Sequence, residues 1–295
     1  MSIRVERLEG LKGIDYNNKS AEELGLLFQD VLGNGLHGLC YSAYDEGQKP
    51  GSVLTKTQIR RRMGIIAPYI KAIRSFSCIE GNELVPEVAR EFELKTLVGA
   101  WLSADKDLNE QEIEGLIRQA KAGYVDIAAV GNEVMYREEL TEEELLEYIA
   151  RVREALPSSI PVGYVDAYYE FSARPKITEA CDVVLANCYP YWEGCHIDYS
   201  LLHAKQMYYQ ALHAGQGKKV IITETGWPSQ GTGLGDAEPS HHNALRYFLN
   251  IQQWTNRDKI EIFYFSSFDE SWKVGAEGDV GAYWGLWDKS EKLKF

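Results

Sequence analysis

Two glutamates stand at the ends of stretches that favour β-strands. In the sequence VIITETGWPS at 220–229, four strand-forming residues precede Glu224, and the Gly and Pro that follow end any strand within a few positions. The sequence IAAVGNEV at 127–134 repeats this design and leads into Glu133. A retaining glycosidase needs two such carboxyl groups, one to attack the anomeric carbon and one to protonate the leaving oxygen. The pattern therefore predicts sugar chemistry if the fold brings the two strand ends together.

Eight short apolar stretches alternate with helical patterns, as repeated βα units require. The predicted strands are Leu36–Tyr44, Ile70–Phe76, Thr96–Leu102, Val125–Val130, Pro161–Val165, Asp182–Cys188, Val220–Glu224 and Ile260–Phe265. We predict a single-domain (β/α)8 TIM barrel over residues 1–295, with the ends of strands four and seven facing each other across its mouth. The competing doubly wound sheet would require a glycine-rich phosphate loop after an early strand, and the sequence contains none.

The spacing of polar residues predicts where several helices begin. Three pairs have a polar cap three residues before a glutamate: Ser20 with Glu23, Asn109 with Glu112, and Thr141 with Glu144. No helix is predicted after the eighth strand, because Trp284–Phe295 is too short. We therefore expect the helix Ser20–Leu32, within an N-terminal extension at 1–34, to cover that side of the barrel.

Composition limits the partners of the protein. The 295 residues carry a formal net charge of −13 at pH 7, which disfavours nucleic acid and anionic membrane surfaces but not a neutral polymer. No apolar stretch is long enough to cross a bilayer, so we predict no membrane insertion. Residues Met1–Arg7 lack the pattern of a signal peptide, and the compartment stays unassigned. We expect the protein to be a monomer.

No spacing typical of metal ligands or of a catalytic serine occurs in the sequence. His241 and His242 are adjacent and do not share a helix face, and HExxH, CxxC and GxSxG motifs are absent. We therefore predict neither a metal nor another cofactor. The five cysteines are interpreted as free thiols, although Cys188 and Cys195 could pair.

Several motifs in order carry a family resemblance. Together, AVGNEV, VIITETGWPS and the later FDESWK and GAYWGLWD resemble glycoside hydrolase family 17 of clan A, the β-1,3-glucan enzymes. CYSAYDEGQKP near the start and PYWE after the sixth strand also match, and the set covers about Leu36 to Asp288. It is similar to the compact bacterial branch of the family. The resemblance implies a retaining enzyme that acts on β-1,3-glucan of the laminarin type by double displacement.

The resemblance also implies roles for residues at matching positions. Glu224 resembles the nucleophile of the family, Glu133 its acid/base, and Tyr189 the tyrosine that hydrogen-bonds the nucleophile. Glu277 matches a further charged position less closely. The other residues expected to bind substrate are Tyr41, Arg74, Asn132, Tyr191, Trp192, Trp227, Glu270, Lys273 and Trp284.

Several of these residues also have a structural interpretation. Arg74 could form a salt bridge inside the barrel, Trp227 could pack in the core, and Glu270 could pair with Lys273. The aromatic cluster at 168–171 could lie at the rim of a pocket or in the core. Alone, Glu133 could cap the helix that follows it, and Glu224 could anchor a turn through an ion pair. At the ends of strands four and seven, the pair favours catalysis.

The family pattern leaves the acceptor of the sugar open. Transfer to water would make the protein a β-1,3-glucanase, and transfer to another glucan a β-1,3-glucanosyltransferase; we expect hydrolysis. The interval Tyr189–Lys219 is too short for the subdomain that lengthens the groove of plant members. A non-catalytic glucan-binding barrel is disfavoured because both glutamates are present, and a β-1,4-active relative is disfavoured by ETGWPS and GLWD.

Overall fold

The computed structural model describes residues 13–295, in which eight parallel strands form a closed barrel. The strands are β1 (Leu36–Cys40), β2 (Ile70–Ser75), β3 (Lys95–Ala100), β4 (Ile127–Asn132), β5 (Val162–Ala167), β6 (Val183–Asn187), β7 (Lys219–Thr225) and β8 (Ile262–Tyr264). Each strand pairs with the next along the chain, and β1 pairs with β8 to close the barrel. The predicted (β/α)8 architecture is confirmed.

Helices connect the strands and cover the barrel. They are α1 (Ala21–Gly33), α2 (Lys56–Ile66), α3 (Val85–Glu91), α4 (Lys106–Lys121), α5 (Glu142–Ala155), α6 (Glu170–Ala173), α7 (Pro175–Ala180), α8 (Ser200–Ala214), α9 (His241–Asp258) and α10 (Val274–Glu277). In the described chain, a single 3-10 turn (Ile197–Tyr199) and α8 join β6 to β7. This connection therefore contains no additional subdomain.

Capping side chains determine where the longer helices begin. Ser20 and Thr141 complete capping boxes at the starts of α1 and α5, as predicted. The third predicted start is wrong, because α4 begins after Asp105, whose carboxylate accepts the first free backbone N–H groups. Asn109 and Glu112 lie inside α4 and are buried, since their side chains bind the loops that follow β3 and β2.

The first helix packs on the β8 side of the barrel. Phe28 of α1 is buried, and its ring centroid lies 4.9 Å from that of Phe248 in α9. Phe248 in turn lies 5.2 Å from Tyr264 of β8. Within the described chain, β8 is followed only by short helices, of which α10 has four residues. Residues 1–12 of the expected N-terminal extension lie outside the described residues.

The strands that carry the site end irregularly. The pairing register shifts near the carboxyl ends of β4, β6 and β7. Such bulges turn side chains toward new directions at strand ends. After β7 the chain passes so close to β8 that a Cβ on Gly226 would lie 2.2 Å from the carbonyl oxygen of Phe265. A glycine at this position therefore lets the loop after Glu224 reach the mouth of the barrel.

Candidate active site

The two predicted catalytic glutamates share one hydrogen-bond donor. Asn187, at the end of β6, donates from Nδ2 to Oε1 of Glu133 at 2.7 Å and to Oε1 of Glu224 at 3.1 Å. Because both oxygens accept from the same nitrogen, the distance between the two oxygens is shorter than the sum of these two hydrogen-bond lengths. This spacing fits the roughly 5 Å between carboxyl groups in retaining glycosidases rather than the roughly 6.5–9.5 Å in inverting ones. Both glutamates line one cavity of about 430 Å³, the catalytic cavity.

Glu224 is surrounded by donors that stabilise an ionised carboxylate. The guanidinium of Arg74 lies 2.5 Å from Oε1, and the hydroxyl of Tyr189 donates to Oε2 at 2.9 Å. Burial alone would lower the pKa of Arg74, but the charge of Glu224 and the hydrogen bonds to Glu224 and Cys40 together outweigh it, so that the pKa is raised and the guanidinium stays charged. An ionised carboxylate held in this way is suited to nucleophilic attack.

The surroundings of Glu133, in contrast, favour its protonated form. Burial, reinforced by the negative charge of Glu224, raises the pKa of Glu133 to about 7. Its carboxyl group therefore keeps a proton near neutrality and can act as a general acid. The backbone of Glu133 has a φ of 52°, in the left-handed region that residues other than glycine rarely adopt. Such strain is often concentrated at functional sites.

A buried carboxylate on β5 holds the loop that carries Glu133. Asp166 accepts a hydrogen bond from the backbone N–H of Tyr136 at 3.3 Å and another from the hydroxyl of Tyr164. That hydroxyl also accepts from the N–H of Met135 at 2.9 Å. Burial raises the pKa of Asp166 to about 6. The Tyr164–Asp166 pair therefore fixes the two residues that follow the strained turn.

Asn132 is oriented by its partner on β2. Arg74 donates from Nη2 to Oδ1 of Asn132 at 2.6 Å, while its other nitrogen binds Glu224. Because the amide oxygen is occupied, the NH2 group of Asn132 remains to donate to a sugar hydroxyl. Arg74 therefore links the nucleophile to a predicted substrate contact through a buried ion pair, and its own contact with substrate stays a prediction.

Aromatic rings form much of the wall of the catalytic cavity. Its aromatic lining residues are Tyr136, Tyr168, Tyr169, Tyr189, Trp192, Phe265 and Trp284. Trp192 is 39% exposed and its ring lies 5.5 Å from that of Trp284. Of the cluster after β5, the two tyrosines lie at the rim, whereas Phe171 is buried in the core. Glu277 also lines this cavity.

Of the ten residues expected to bind substrate, three line the catalytic cavity and seven do not, and three of those seven are buried in contacts with other loops. Tyr41 is buried, and its hydroxyl donates to the carbonyl oxygen of Ile59 in α2 at 2.8 Å. Tyr191 and Trp227 are also buried, pack against each other at 5.3 Å, and donate to backbone carbonyl oxygens. Substrate contact is therefore not expected for these three side chains, which stabilise the loops around the site.

Glu270 and Lys273 form a buried ion pair beside the cavity. The Nζ atom of Lys273 lies 2.9 Å from Oε2 of Glu270 and 4.0 Å from the ring centroid of Phe265. Trp272 donates from Nε1 to the other carboxylate oxygen of Glu270 at 3.0 Å. The pair thus lies behind Phe265, which lines the catalytic cavity, and neither Glu270 nor Lys273 lines that cavity.

Several chemical possibilities can be addressed within residues 13–295. No group of three or more His, Cys, Asp or Glu side chains there could hold a metal ion. No helix in that range has the length and apolar character needed to cross a membrane. All five cysteines are free, so the possible pairing of Cys188 with Cys195 does not occur.

Two residues of the site were missed in the sequence. Asn187 and Asp166 both stand at the carboxyl ends of apolar strands, the same signal that identified Glu133. Asn187 lies two residues before Tyr189, and Asp166 two residues before Tyr168. Applying the strand-end criterion to every polar residue, rather than to glutamates alone, would have found both.

The fold and the site together define a class of protein. A (β/α)8 barrel with two carboxyl groups that share one hydrogen-bond donor at its mouth is the arrangement of a retaining glycoside hydrolase. Residues 38–285 match the family model of the BtgE/BtgC glycoside hydrolase domain, and the chain belongs to this family.

Related proteins carry glucan-hydrolase names. Glucan 1,3-beta-glucosidase of Schizosaccharomyces pombe is 28% identical over 251 residues, covering 78% of this chain and 77% of the relative. Glucan 1,3-beta-glucosidase BGL2 of Candida albicans is 26% identical over 262 residues, covering 79% and 83%.

The fold is similar to that of solved glucan-active enzymes. The family 17 β-1,3-glucanosyltransferase of Rhizomucor miehei has a TM-score of 0.80 and 28% identity, covering 89% of this chain and 96% of that one. An endo-laminarinase from Formosa has a TM-score of 0.74 with 90% of this chain and 86% of that one covered, and at 19% identity it shows the fold alone.

Proposed function

We propose that the protein is a retaining glycoside hydrolase that cleaves β-1,3-linked glucan. The observation that carries this proposal is the shared Asn187 Nδ2, which holds Glu133 and Glu224 at the spacing required for double displacement. The ionised carboxylate of Glu224 attacks C1 and forms a covalent glucosyl–enzyme. Glu133 gives its proton to the departing glycosidic oxygen in the same step.

The second step reverses the role of Glu133. Once it has lost its proton, its carboxylate takes a proton from a water molecule, and the water oxygen attacks C1 as the bond to Glu224 breaks. The charge of Arg74 and the hydroxyl of Tyr189 stabilise the departing Glu224 carboxylate. The free NH2 group of Asn132 is suited to bind the 2-hydroxyl of the sugar, where contacts strengthen in the transition state.

The linkage is supported by the named relatives. The proteins of Schizosaccharomyces pombe and Candida albicans are named glucan 1,3-beta-glucosidases, and a Rhizomucor miehei neighbour was solved in complex with laminaritriose. The aromatic walls of the catalytic cavity are suited to stacking on sugar rings. We propose that the protein acts as a monomer without nucleic-acid or membrane partners. The short β6–β7 connection supports its place in a compact branch of the family, and a bacterial branch stays a prediction.

A glucanosyltransferase is the second candidate, and one feature favours it. Tyr136, Tyr168 and Tyr169 line the cavity on the same side as Glu133, where a second glucan would enter to accept the glucosyl unit. The structural neighbour from Rhizomucor miehei is named a β-1,3-glucanosyltransferase. The catalytic residues are the same in both reactions, so only the acceptor differs.

Product analysis with laminari-oligosaccharides tests both candidates. A hydrolase gives only shorter products at all substrate concentrations, whereas a transferase also gives products longer than the substrate. Cello-oligosaccharides of the same lengths serve as the linkage control and should remain intact. No cleavage of laminari-oligosaccharides of any length, with Glu224→Gln as the inactive reference, would contradict the proposed substrate.

A further inference from the structure

Strand β5 carries two buried polar side chains that take no part in the two steps proposed above. Tyr164 and Asp166 lie two residues apart, so they share one face of the strand. Asp166 is fully buried and Tyr164 is 1% exposed. Burial of a carboxyl group is costly unless hydrogen bonds compensate for the lost water. The compensating bonds of this pair go to the turn that carries Glu133, at 133–136, which we call the β4 turn.

The backbone of the β4 turn is held from β5 at three points. The N–H group of Glu133 donates to the carbonyl oxygen of Val165 at 2.8 Å. Further along the turn, the N–H groups at 135 and 136 donate to Tyr164 and Asp166. Because the hydroxyl of Tyr164 also donates to Asp166, the two side chains act as one anchor. Loss of the carboxylate therefore weakens two of the three attachments.

This anchor holds Glu133 in an unfavourable backbone conformation. The φ of Glu133 is 52° and that of Gly131 is 87°, so the chain enters the left-handed region twice within three residues. A residue with a Cβ atom keeps such a conformation only where the surrounding structure determines it. A relaxed β4 turn would carry the carboxyl group of Glu133 away from its hydrogen bond with Asn187.

The charge of Asp166 also acts on Glu133. Burial is the main reason that the pKa of Glu133 is raised, and the charges of Glu224 and Asp166 raise it further. The hydrogen bond from Asn187 and the charge of Arg74 lower it. Asp166 differs from Glu224 in that it also binds the backbone of the β4 turn. One side chain therefore contributes to both the position and the proton affinity of the acid.

The groups around Asp166 leave its negative charge directed at Glu133. Burial raises the pKa of Asp166, and the neighbouring Glu170 of α6 raises it further, whereas hydrogen bonds from Tyr164 and from backbone N–H groups lower it. These donors carry no net positive charge, so they do not neutralise the carboxylate. Tyr169 lies near both carboxyl groups and stays neutral near pH 7, because burial raises its pKa to about 12.

We propose that Asp166 is a positioning residue for the acid/base. Through Tyr164 and the β4 turn it holds the carboxyl group of Glu133 within reach of the leaving oxygen, and its negative charge helps to keep the proton on that group. This inference rests on the proposed function. It assigns β5 to the protonation step, so that loss of Asp166 affects substrates whose departing oxygen needs a proton.

The leaving-group dependence of Asp166→Asn tests this role. The substitution keeps the shape of the side chain and removes its charge. Since displacement of a catalytic group by about 1 Å costs about 10²-fold, kcat/KM on laminari-oligosaccharides should fall by about 10–10²-fold. On an aryl glycoside of laminaribiose, whose phenol leaves without a proton, the loss should stay below about threefold.

The pH profile gives a second measurement that a merely structural role would not change. Because the charge of Asp166 raises the pKa of Glu133, its removal should move the alkaline limb of kcat/KM to lower pH. This direction is opposite to the shift expected when the hydrogen bond from Asn187 is lost. Equal losses on the two substrates in Asp166→Asn, or an alkaline limb that does not move, would overturn the inference.

Two further variants separate charge from position. Tyr164→Phe keeps the carboxylate but removes the hydroxyl that binds the β4 turn. It should show the same leaving-group dependence with a smaller shift of the alkaline limb, and it carries the test if Asp166→Asn does not fold. Asp182→Asn removes a carboxylate that accepts from Val162 at 2.9 Å at the other end of β5, and it should behave as wild type in both measurements.

Direct titration of Glu133 distinguishes failure of this inference from failure of the proposed function. The side-chain carboxyl carbons of glutamate are isotopically labelled for NMR, and the resonance of Glu133 is identified by its loss in Glu133→Gln. A lower pKa of Glu133 in Asp166→Asn than in wild type supports the inference even if the wild type cleaves no β-1,3-glucan. The same pKa in both proteins would refute it even if the wild type cleaves β-1,3-glucan.

Discussion

Asn187 is the residue on which the geometry of the two carboxylates depends. The hydroxyl of Thr223 donates to its Oδ1 at 2.9 Å, so the amide is oriented with both N–H groups toward Glu133 and Glu224. The hydrogen bond that Asn187 donates to Glu133 also opposes the effects that raise the pKa of Glu133. One side chain therefore controls both the spacing of the pair and the proton affinity of the acid.

Replacement of Asn187 by alanine should change the pH profile as well as the rate. Loss of a preorganised donor next to developing charge costs about 10²–10³-fold in kcat. Because the lost hydrogen bond lowers the pKa of Glu133, the alkaline limb of kcat/KM should move to higher pH. Thr223→Val keeps the amide but loosens its orientation, and it should show a smaller loss. A reduced rate with an unshifted alkaline limb would contradict this role.

The raised pKa of Glu133 predicts how activity depends on pH. Since the acid must be protonated, kcat/KM of the wild type should fall as pH rises through about 7. Glu133→Gln should lower kcat/KM about 10²–10⁴-fold on laminari-oligosaccharides. The loss should be much smaller on an aryl glycoside, whose leaving group needs no proton. Equal losses on both substrates would argue against Glu133 as the acid.

The same pKa shift has a consequence for stability. A carboxyl group whose pKa is raised in the folded state stabilises the fold at low pH, and this contribution is lost as pH rises through the folded value of about 7. Glu133→Gln removes the ionisation, so the variant should gain stability relative to wild type above neutrality but not in acid. Thermal unfolding across this pH range measures the difference. A constant difference in Tm at every pH would contradict the assignment.

Sequence analysis could identify residues at strand ends but not the direction of every side chain. Cys40 points into the barrel, where its Sγ contacts the carbonyl oxygen of Thr223. Side chains alternate along a strand, so Tyr41 points outward to α2 instead of into the site. The predicted end of β1 was also four residues too late, because the strand ends at Cys40.

At the scale of elements, the buried side chain of Lys294, close to the end of the described chain, forms hydrogen bonds to several loops around the site. Lys294 donates to Oγ of Ser229 at 2.8 Å, to Oδ1 of Asp269 at 2.9 Å and to the carbonyl oxygen of Tyr283 at 3.2 Å. These residues lie in the loop after β7 and in the segments that lead to Glu270 and Trp284. Lys294 therefore connects the loop after β7 with the segments that carry Glu270 and Trp284.

Lys294→Met should lower both stability and turnover. The substitution leaves the carboxylate of Asp269 buried without its partner, and breaking such a buried pair costs about 3–5 kcal/mol. Denaturant unfolding and kcat on laminari-oligosaccharides are the measurements. Lys292→Met, at an exposed position two residues earlier, is the matched control. Lys294→Met/Asp269→Asn should recover part of the lost stability, and no recovery would contradict a role through this pair.

Some elements could be predicted more reliably than others for a physical reason. Capping boxes are local, so Ser20 and Thr141 could be identified from spacing alone. Asn109 and Glu112 have similar spacing, but tertiary contacts bury both inside α4, while Asp105 caps the helix. The hydrogen bonds of Lys294 could not be predicted, because its partners lie up to 65 residues away in the sequence.

At the scale of the whole molecule, α1 covers the side of the barrel at β8, where the described chain has no long helix after the strand. Phe28→Ala should destabilise the protein by about 3–5 kcal/mol, the usual cost of removing a buried phenylalanine. Leu26→Ala, at a 62% exposed position of the same helix, should change stability little. Denaturant unfolding measures the free energy of unfolding of both variants. Equal and small losses in Phe28→Ala and Leu26→Ala would show that α1 is not part of the barrel core.

The most direct test of the proposed mechanism is to trap the covalent intermediate. A 2-deoxy-2-fluoro laminaribiosyl fluoride, whose fluorine at C2 slows release of the sugar from the enzyme, is incubated with the protein. Peptide mass spectrometry then locates the added sugar. The expected result is one added laminaribiosyl unit on Glu224, with no label in Glu224→Gln. Labelling of Glu133, or turnover of laminari-oligosaccharides to products of inverted anomeric configuration, would contradict the assignment of Glu224 as the nucleophile of a retaining enzyme.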